Sequence, residues 1–297
     1  MSYTSKADVE VKSGSSAMVG VALLTVYLVW GSTYLAIKIA LENYPPFGMA
    51  AVRFAFAGAL LYAWLRLRGA PAPSAKQWRN CAITGALLLG GGNGLVCYAE
   101  LTVSSSLAAV AVASMPLFAA LFAGLYGKWP RRWDWAGLVI GFAGVVLLNL
   151  GGEMQGSRAG ALALIAAPLA WAFGSVWSKH QDMPSAWMST AAQMLAGSLV
   201  LGVVTLALGE SFPSDPSPRA TGALVYLAIA GSIAAFTAYI YLLNTVRPAL
   251  ATSYAYVNPP VAVLLGVTLA GESFGAMEAV AMAVILAGVA MILMQRR

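Results

Sequence analysis

The second half of the chain loosely repeats the first. Trp30-Gly31-Ser32, with Lys38 eight residues after the Trp, returns as Trp171 followed by Gly174-Ser175 and Lys179, again eight after the Trp. Ala99-Glu100-Leu101-Thr102-Val103 aligns with Leu242-Leu243-Asn244-Thr245-Val246 at a shift of 143 residues, and the same shift places Met115-Pro116-Leu117 on Asn258-Pro259-Pro260. Ala143-Gly144-Val145 matches Ala287-Gly288-Val289 at a shift of 144. Both copies are apolar almost throughout, and a duplicated apolar bundle points to a transporter with its site between the repeats.

With 60% hydrophobic and 9% charged residues, the chain needs a low-dielectric solvent. Cutting at the Pro, Gly and charge clusters leaves ten segments, near 18–41, 47–67, 79–99, 104–126, 133–150, 158–178, 186–208, 220–244, 249–270 and 276–294. Each is close to the length that crosses ~30 Å of hydrocarbon. All are expected to be helices, because lipid offers no partner to unpaired backbone groups. Residues 1–17, Ser-rich with Lys6 and Lys12, read as a cytoplasmic tail, and the first span as retained, since no small-residue cleavage site follows it.

Basic residues set the orientation. Lys6, Lys12, Arg66, Arg68, Lys76, Arg79, Lys128, Arg131, Arg132, Lys179, Arg247, Arg296 and Arg297 fall on one side, and only Arg158 and Arg219 on the other. Both termini are therefore expected in the cytoplasm. The net charge of +6 reads as an insertion signal rather than a nucleic-acid patch. Five spans per half force the halves, 18–150 and 158–294, to insert with opposite topology. The expected fold is all-α and integral to the membrane: ten transmembrane helices in two inverted five-helix repeats.

Candidate site residues are the polar, aromatic and proline positions at mid-depth. Pro116 and Pro259 each fall about ten residues into a span and remove a helical hydrogen bond there. They read either as hinges in the transport path or as static kinks. Asn93 sits within Gly90-Gly91-Gly92-Asn93-Gly94, whose glycines admit a substrate or another helix. Ser232 and Tyr239 lie at comparable depth in the eighth span, and Tyr254 and Asn258 share one face of the ninth. Trp30 and Trp171 occupy mid-span positions, either lining a cavity or packing the bundle. Trp64, Trp78, Trp129, Trp133, Trp135 and Trp187, near span ends, read as interfacial belt residues.

Charges inside spans are functional suspects. Arg53 lies well inside the second span, with a snorkelling side chain or a structural pair with Glu100 as the alternatives to a functional role. Lys38 and Lys179 read as snorkelling. No GxxxxGK[ST] loop is present, and the single histidine, His180, leaves neither a metal cluster nor a nucleophile–histidine pair. No cofactor, metal or catalytic residue is therefore expected. Cys81 and Cys97 are 16 residues apart on one span and too distant to pair. The rows Gly137-xxx-Gly141 and Ala279-xxx-Ala283-xxx-Ala287 read as packing faces within the bundle, and as a possible dimer contact.

These residues resemble a known family. Trp30-Gly31-Ser32-Thr33-Tyr34, Pro45-Pro46 with Arg53, Gly92-Asn93-Gly94, Trp171-Ala172-Phe173-Gly174-Ser175, and the run from Ser253 through Asn258-Pro259-Pro260 to Gly266 with Gly271-Glu272 look like the EamA branch of the drug/metabolite transporter superfamily. The resemblance covers nearly the whole chain, and the aromatic amino-acid exporters of the YddG type are its best-defined comparison. It implies ten helices in two inverted repeats and the export of amino acids or related metabolites. The absence of basic residues at mid-depth in the fourth and ninth spans argues against a phosphorylated substrate.

The combined expectation is a monomeric secondary transporter in the inner membrane of a bacterium, exporting neutral amino acids by alternating access; multidrug or other metabolite efflux is the alternative. Its partners are a small-molecule substrate and the lipid bilayer, not nucleic acid. The expected cavity residues are Trp30, Tyr34, Asn93, Tyr98, Met115, Trp171, Ser175, Ser232, Tyr239, Tyr254 and Asn258, with Pro116 and Pro259 as hinges and Lys38, Arg53 and Glu100 as structural charges.

Overall fold

The computed structural model describes residues 16–150, 157–246, 248–251 and 253–294. Expectations resting on residues 1–15, including Lys6 and Lys12, and on Glu153, Arg247, Arg296 and Arg297 lie outside the described residues. The described residues form ten helical rods and contain no strand. They are α1 (Ser16–Ala40), α2 (Pro46–Leu67), α3 (Ala75–Ala99), α4 (Ser105–Gly124), α6 (Arg158–Ser178), α7 (Ala186–Ala207) and α8 (Pro218–Thr245), each long and apolar enough to cross a membrane. The remaining three are α5 (Arg132–Asn149), α9 (Tyr254–Ala270) and α10 (Ala276–Met294). A single helical turn, Pro248–Ala251, precedes α9.

Local chemistry explains the starts and stops. Ser74 opens α3 with a capping box, its hydroxyl accepting from Gln77 N while the Gln77 side chain accepts from Ser74 N. Ser104, Ser157 and Ser217 cap α4, α6 and α8 through their hydroxyls. Gly271, at φ 66°, ends α9 in the left-handed conformation that costs glycine little.

Helix packing carries the twofold relation of the repeats. Adding five to a helix number maps each major contact onto another: α1 packs on α8 and α9, and α6 packs on α3 and α4, while α2·α7, α5·α10 and α4·α9 map onto themselves. The pseudo-twofold axis between inverted repeats runs through these self-paired contacts. Small residues bring the backbones together. A Cβ on Gly288 of α10 would stand 2.5 Å from Gly141 Cα and 2.6 Å from Gly137 O of α5. In α2, a Cβ on Gly58 would stand 2.9 Å from Met194 Cβ of α7.

One packing expectation is corrected here. Gly137 and Gly141 do face α10, but its buried face is Ala281, Ile285, Gly288 and Val289, and Ala279, Ala283 and Ala287 point outward. The glycine, which allows the closest backbone approach, selects the face, and the alanine row lies round the helix from it.

Helices α1, α3 and α8 each contain a π-helical stretch at mid-depth: Val26–Trp30, Ala86–Gly94 and Leu227–Ala234. α4 is interrupted at Ala113-Ser114, where Ser114 N bonds back only to Ala111 O and Leu117 N only to Ser114 O. Pro116 follows two residues later. α9, by contrast, runs unbroken through Pro259 and Pro260, and its interruption lies ahead of Tyr254.

Candidate functional site

The π-helical stretches, the break in α4 and the start of α9 surround one cavity of about 110 Å³. At on the order of 10–15 Å³ per water centre, this is room for roughly eight waters, the scale of a small amino acid. Of the eleven expected cavity residues, Trp30, Tyr34, Asn93, Met115, Trp171, Tyr254 and Asn258 line it. Tyr98, Ser175, Ser232 and Tyr239 do not. Tyr98 stacks on Phe47 at 6.0 Å, and the Ser175 carbonyl accepts from Ser178 Oγ. Ser232 is buried with its hydroxyl donating to Leu227 O, five residues back. Its hydroxyl is spent on the backbone of its own π-helical stretch, in place of facing the cavity. Tyr239 stands behind the wall, 5.2 Å from the Trp30 ring and 5.5 Å from Tyr254.

Trp30 organises one wall. Its ring meets Phe236 at 5.1 Å and Tyr254 at 4.9 Å, both edge to face, and its Nε1 donates to Gly231 O at 3.1 Å. Edge-to-face contact and a satisfied N–H are what a buried indole requires. Trp171, on the opposite side, sits against Gly92, where a Cβ would stand 2.7 Å from Trp171 Cε3. The glycine run therefore admits helix α6 through its Trp. Asn93 accepts from Cys97 Sγ at 3.6 Å, and Asn258 is 7% exposed with its Oδ1 unpartnered. Val112, whose carbonyl Pro116 deprives of a helical donor, lines the cavity, as does Pro168 of α6.

The charges are not arranged as the sequence suggested. Arg53 neither snorkels nor pairs with Glu100: it is 5% exposed, lines the cavity, and has no carboxylate within ion-pair distance. Lys38 bridges α1 to the α3–α4 loop by donating to Glu100 O at 2.6 Å and Val103 O at 3.1 Å. The enclosed backbone carbonyls compete successfully with lipid headgroups for both donors. Among the described residues no three His, Cys, Asp or Glu side chains converge as a metal site.

The two ends of the cavity differ. On the face opposite residues 16 and 294, here the far face, Glu272 reaches from the end of α9 to the start of α4. Its Oε1 accepts from Ser105 N and Oγ, both at 2.8 Å, and its Oε2 from Ser106 N at 3.0 Å and Oγ at 2.5 Å. These backbone donors are the orphans of a helix N-terminus, where negative charge is also favoured by the helix dipole. Burial alone would raise the Glu272 pKa, but the hydrogen bonds from Ser106 and Ser105 outweigh it and hold the carboxyl below the usual range. The motif Gly271-Glu272 was visible in the sequence; its partner on α4 was not. On the face of residues 16 and 294, the terminal face, the polar links seen among the described residues include two groups. Tyr27 bonds Ser253, joining α1 to the segment before α9. Asn80 bonds Asp182 O and Tyr126 stacks on His180, joining α3, α4 and α6. The first half of α4 packs on α9, and its second half packs on α6.

Two stretches of the chain, 18–150 and 158–294, match the EamA-like transporter family. The chain belongs to that family. It is a membrane transporter with the family's repeated helical fold. Among the relatives of this EamA-like chain, "Uncharacterized inner membrane transporter YedA" of Escherichia coli (strain K12) is 46% identical over 272 residues, 91% of this chain and 89% of that one. "Probable terminal-alkyne amino-acid exporter" of Streptantibioticus cattleyicolor is 25% identical over 253 residues, 84% of this chain and 85% of that one. A crystal structure at 25% identity superposes with a TM-score of 0.64, covering 96% of this chain and 100% of the other.

Proposed function

We propose that this transporter exports amino acids, or metabolites of the same size and amphipathic character, across a bacterial inner membrane by alternating access. The observation that carries the reading is the cavity itself. Aromatic rings of Trp30, Trp171, Phe236 and Tyr254 offer stacking surface, and Asn93 and Asn258 offer amides, in a volume on the scale of a small amino acid. The relative named as an amino-acid exporter supports the substrate class, and the inner-membrane relative supports the location. The repeats 18–150 and 158–294 are the units that exchange roles, Pro116 and Pro259 the points at which α4 and α9 flex. With both termini cytoplasmic, the latched far face is periplasmic and the terminal face is cytoplasmic.

The test is flux of labelled neutral amino acids from proteoliposomes, with and without a pH gradient. Saturable efflux of at least one amino acid is expected. Efflux of ethidium but of no amino acid would replace the reading with multidrug efflux. Trp30→Ala and Trp171→Ala should reduce flux more than Trp→Phe at equal membrane abundance, since alanine removes the stacking area. Parental flux from the alanine variants would return both residues to bundle packing. Orientation is checked by cysteines introduced at Ala72 and Ser214 in a background free of Cys81 and Cys97: an impermeant thiol reagent should label Ser214→Cys in intact cells and Ala72→Cys only after lysis.

A further inference from the structure

Arg53 is the only charged residue among those lining the cavity. It enters seven residues, ~10 Å, below the far-face end of α2, alongside Ile37 and Phe54, so it stands at the latched end of the chamber. Its guanidinium lies over the Phe54 ring, with Cζ 4.3 Å from the centroid, which fixes the plane of the fork. Nε and Nη1 are buried with no hydrogen-bond partner. Glu100 is fully buried and both of its carboxylate oxygens are also unpartnered, without an ion pair to Arg53. A guanidinium held in place and left with free N–H donors is costly unless something fills the fork.

The geometry points to Arg53 as the group that binds the carboxylate of the transported molecule, which makes the substrates amphipathic monocarboxylates. The planar guanidinium donates from adjacent N–H groups to two carboxylate oxygens side by side. The unpartnered Asn258 Oδ1, nearer the cavity middle, is an acceptor for the same molecule's ammonium N–H. A phosphate dianion fits less well, because the second cation it requires is missing: Lys38 is taken up by the carbonyls of Glu100 and Val103. This inference rests on the amino-acid reading and adds to it the recognising group.

The experiment compares L-leucine with L-leucinamide and L-phenylalanine with L-phenylalaninamide, with phenyl phosphate as a third probe. Each is tested as a competitor of amino-acid flux in proteoliposomes and as a thermal stabiliser of purified protein. The parent should prefer acid over amide by about 10- to 100-fold, the range that hydrogen bonds to a charged group supply. Arg53→Gln should bring the preference within about twofold, and Arg53→Lys should keep part of it. Should Arg53→Gln not fold, the Arg53→Gln/Glu100→Gln variant, which also removes the buried carboxyl, gives the same comparison. Equal competition by acid and amide in the parent, a retained preference in a folded Arg53→Gln or double variant, or stronger competition by phenyl phosphate would each overturn the assignment. Parental amino-acid flux accompanied by any of these sinks this inference alone, whereas absence of amino-acid flux sinks the function proposed above.

Discussion

The loop after α4 and the loop after α9 are the same turn in two copies of the repeat, with opposite chemistry. Gly127, at φ 76°, and Gly271, at φ 66°, are related by the 144-residue shift and end their helices alike. Lys128 N returns to Ala123 O and Glu272 N to Gly266 O, each at 3.0 Å. The next side chain then decides the difference. Glu272 crosses to the positive end of α4, and Lys128 is exposed on the terminal face. A cation cannot satisfy the orphan N–H groups of a helix start. Duplication thus preserved the backbone and left one gate with a carboxylate latch and the other without. The latched state should therefore be the resting state of the empty protein.

Removing the latch is the strongest way to break this asymmetry. Glu272→Ala deletes four hydrogen bonds to a half-buried carboxylate, on the order of 2–3 kcal/mol after allowing for its exposure, or roughly 30- to 150-fold in the balance of states. A cysteine at Ile37 should then react with an impermeant thiol reagent from the far face much faster than in the parent. An unchanged rate would mean the latch contributes nothing to closure.

Gly266→Ala attacks the same contact from the other side, since a Cβ there would collide with the Glu272 carboxylate and Ser106 Oγ. About a tenfold rise in the same labelling rate is expected, and combining it with Glu272→Ala should add little. Acid is a gentler probe. The Glu272 pKa is depressed in the latched state, so its stabilisation is present above the ordinary value of about 4.5 and lost as pH falls through the depressed one. Labelling at pH 4 should exceed that at pH 7 by a few-fold in the parent, with Glu272→Gln insensitive to the change. The smallest effect is expected from Lys128→Glu, which places a carboxylate on the unlatched side. With no partner pair equivalent to Ser105 and Ser106, where the repeat has Pro248 and Ala249, it should alter labelling by less than about threefold.

Lipid made the helices legible. The expected and observed spans differ by a few residues because apolar length is dictated by hydrocarbon thickness, whatever the contacts. The π-helical stretches in α1, α3 and α8 left no such trace. Val26–Trp30 and Leu227–Ala234 are ordinary apolar runs, and their extra residue per turn reflects packing around Trp30 and Gly231. The prolines marked the correct depth but not the behaviour: α4 breaks beside Pro116, and α9 stays intact across Pro259. Tyr98 and Tyr239 have the composition of cavity residues, but side-chain direction, which depends on the rotation of each helix, turned them to neighbouring clusters. Arg53 was visible as an anomaly, and only three-dimensional placement separated a free guanidinium from an ion pair.

The distance between Arg53 and Glu100 along the chain also bears on how the protein is made. α2 leaves the ribosome before α3, so Arg53 emerges 47 residues ahead of Glu100. An arginine that must enter lipid alone opposes insertion by up to about 3 kcal/mol, less at this depth than at the bilayer centre. If the α2–α3 hairpin partitions as one piece, Arg53 enters together with the polar Glu100 side chain. The short connection between Leu67 and Ala75 is suited to that, and it makes this hairpin the unit of biogenesis in the first repeat.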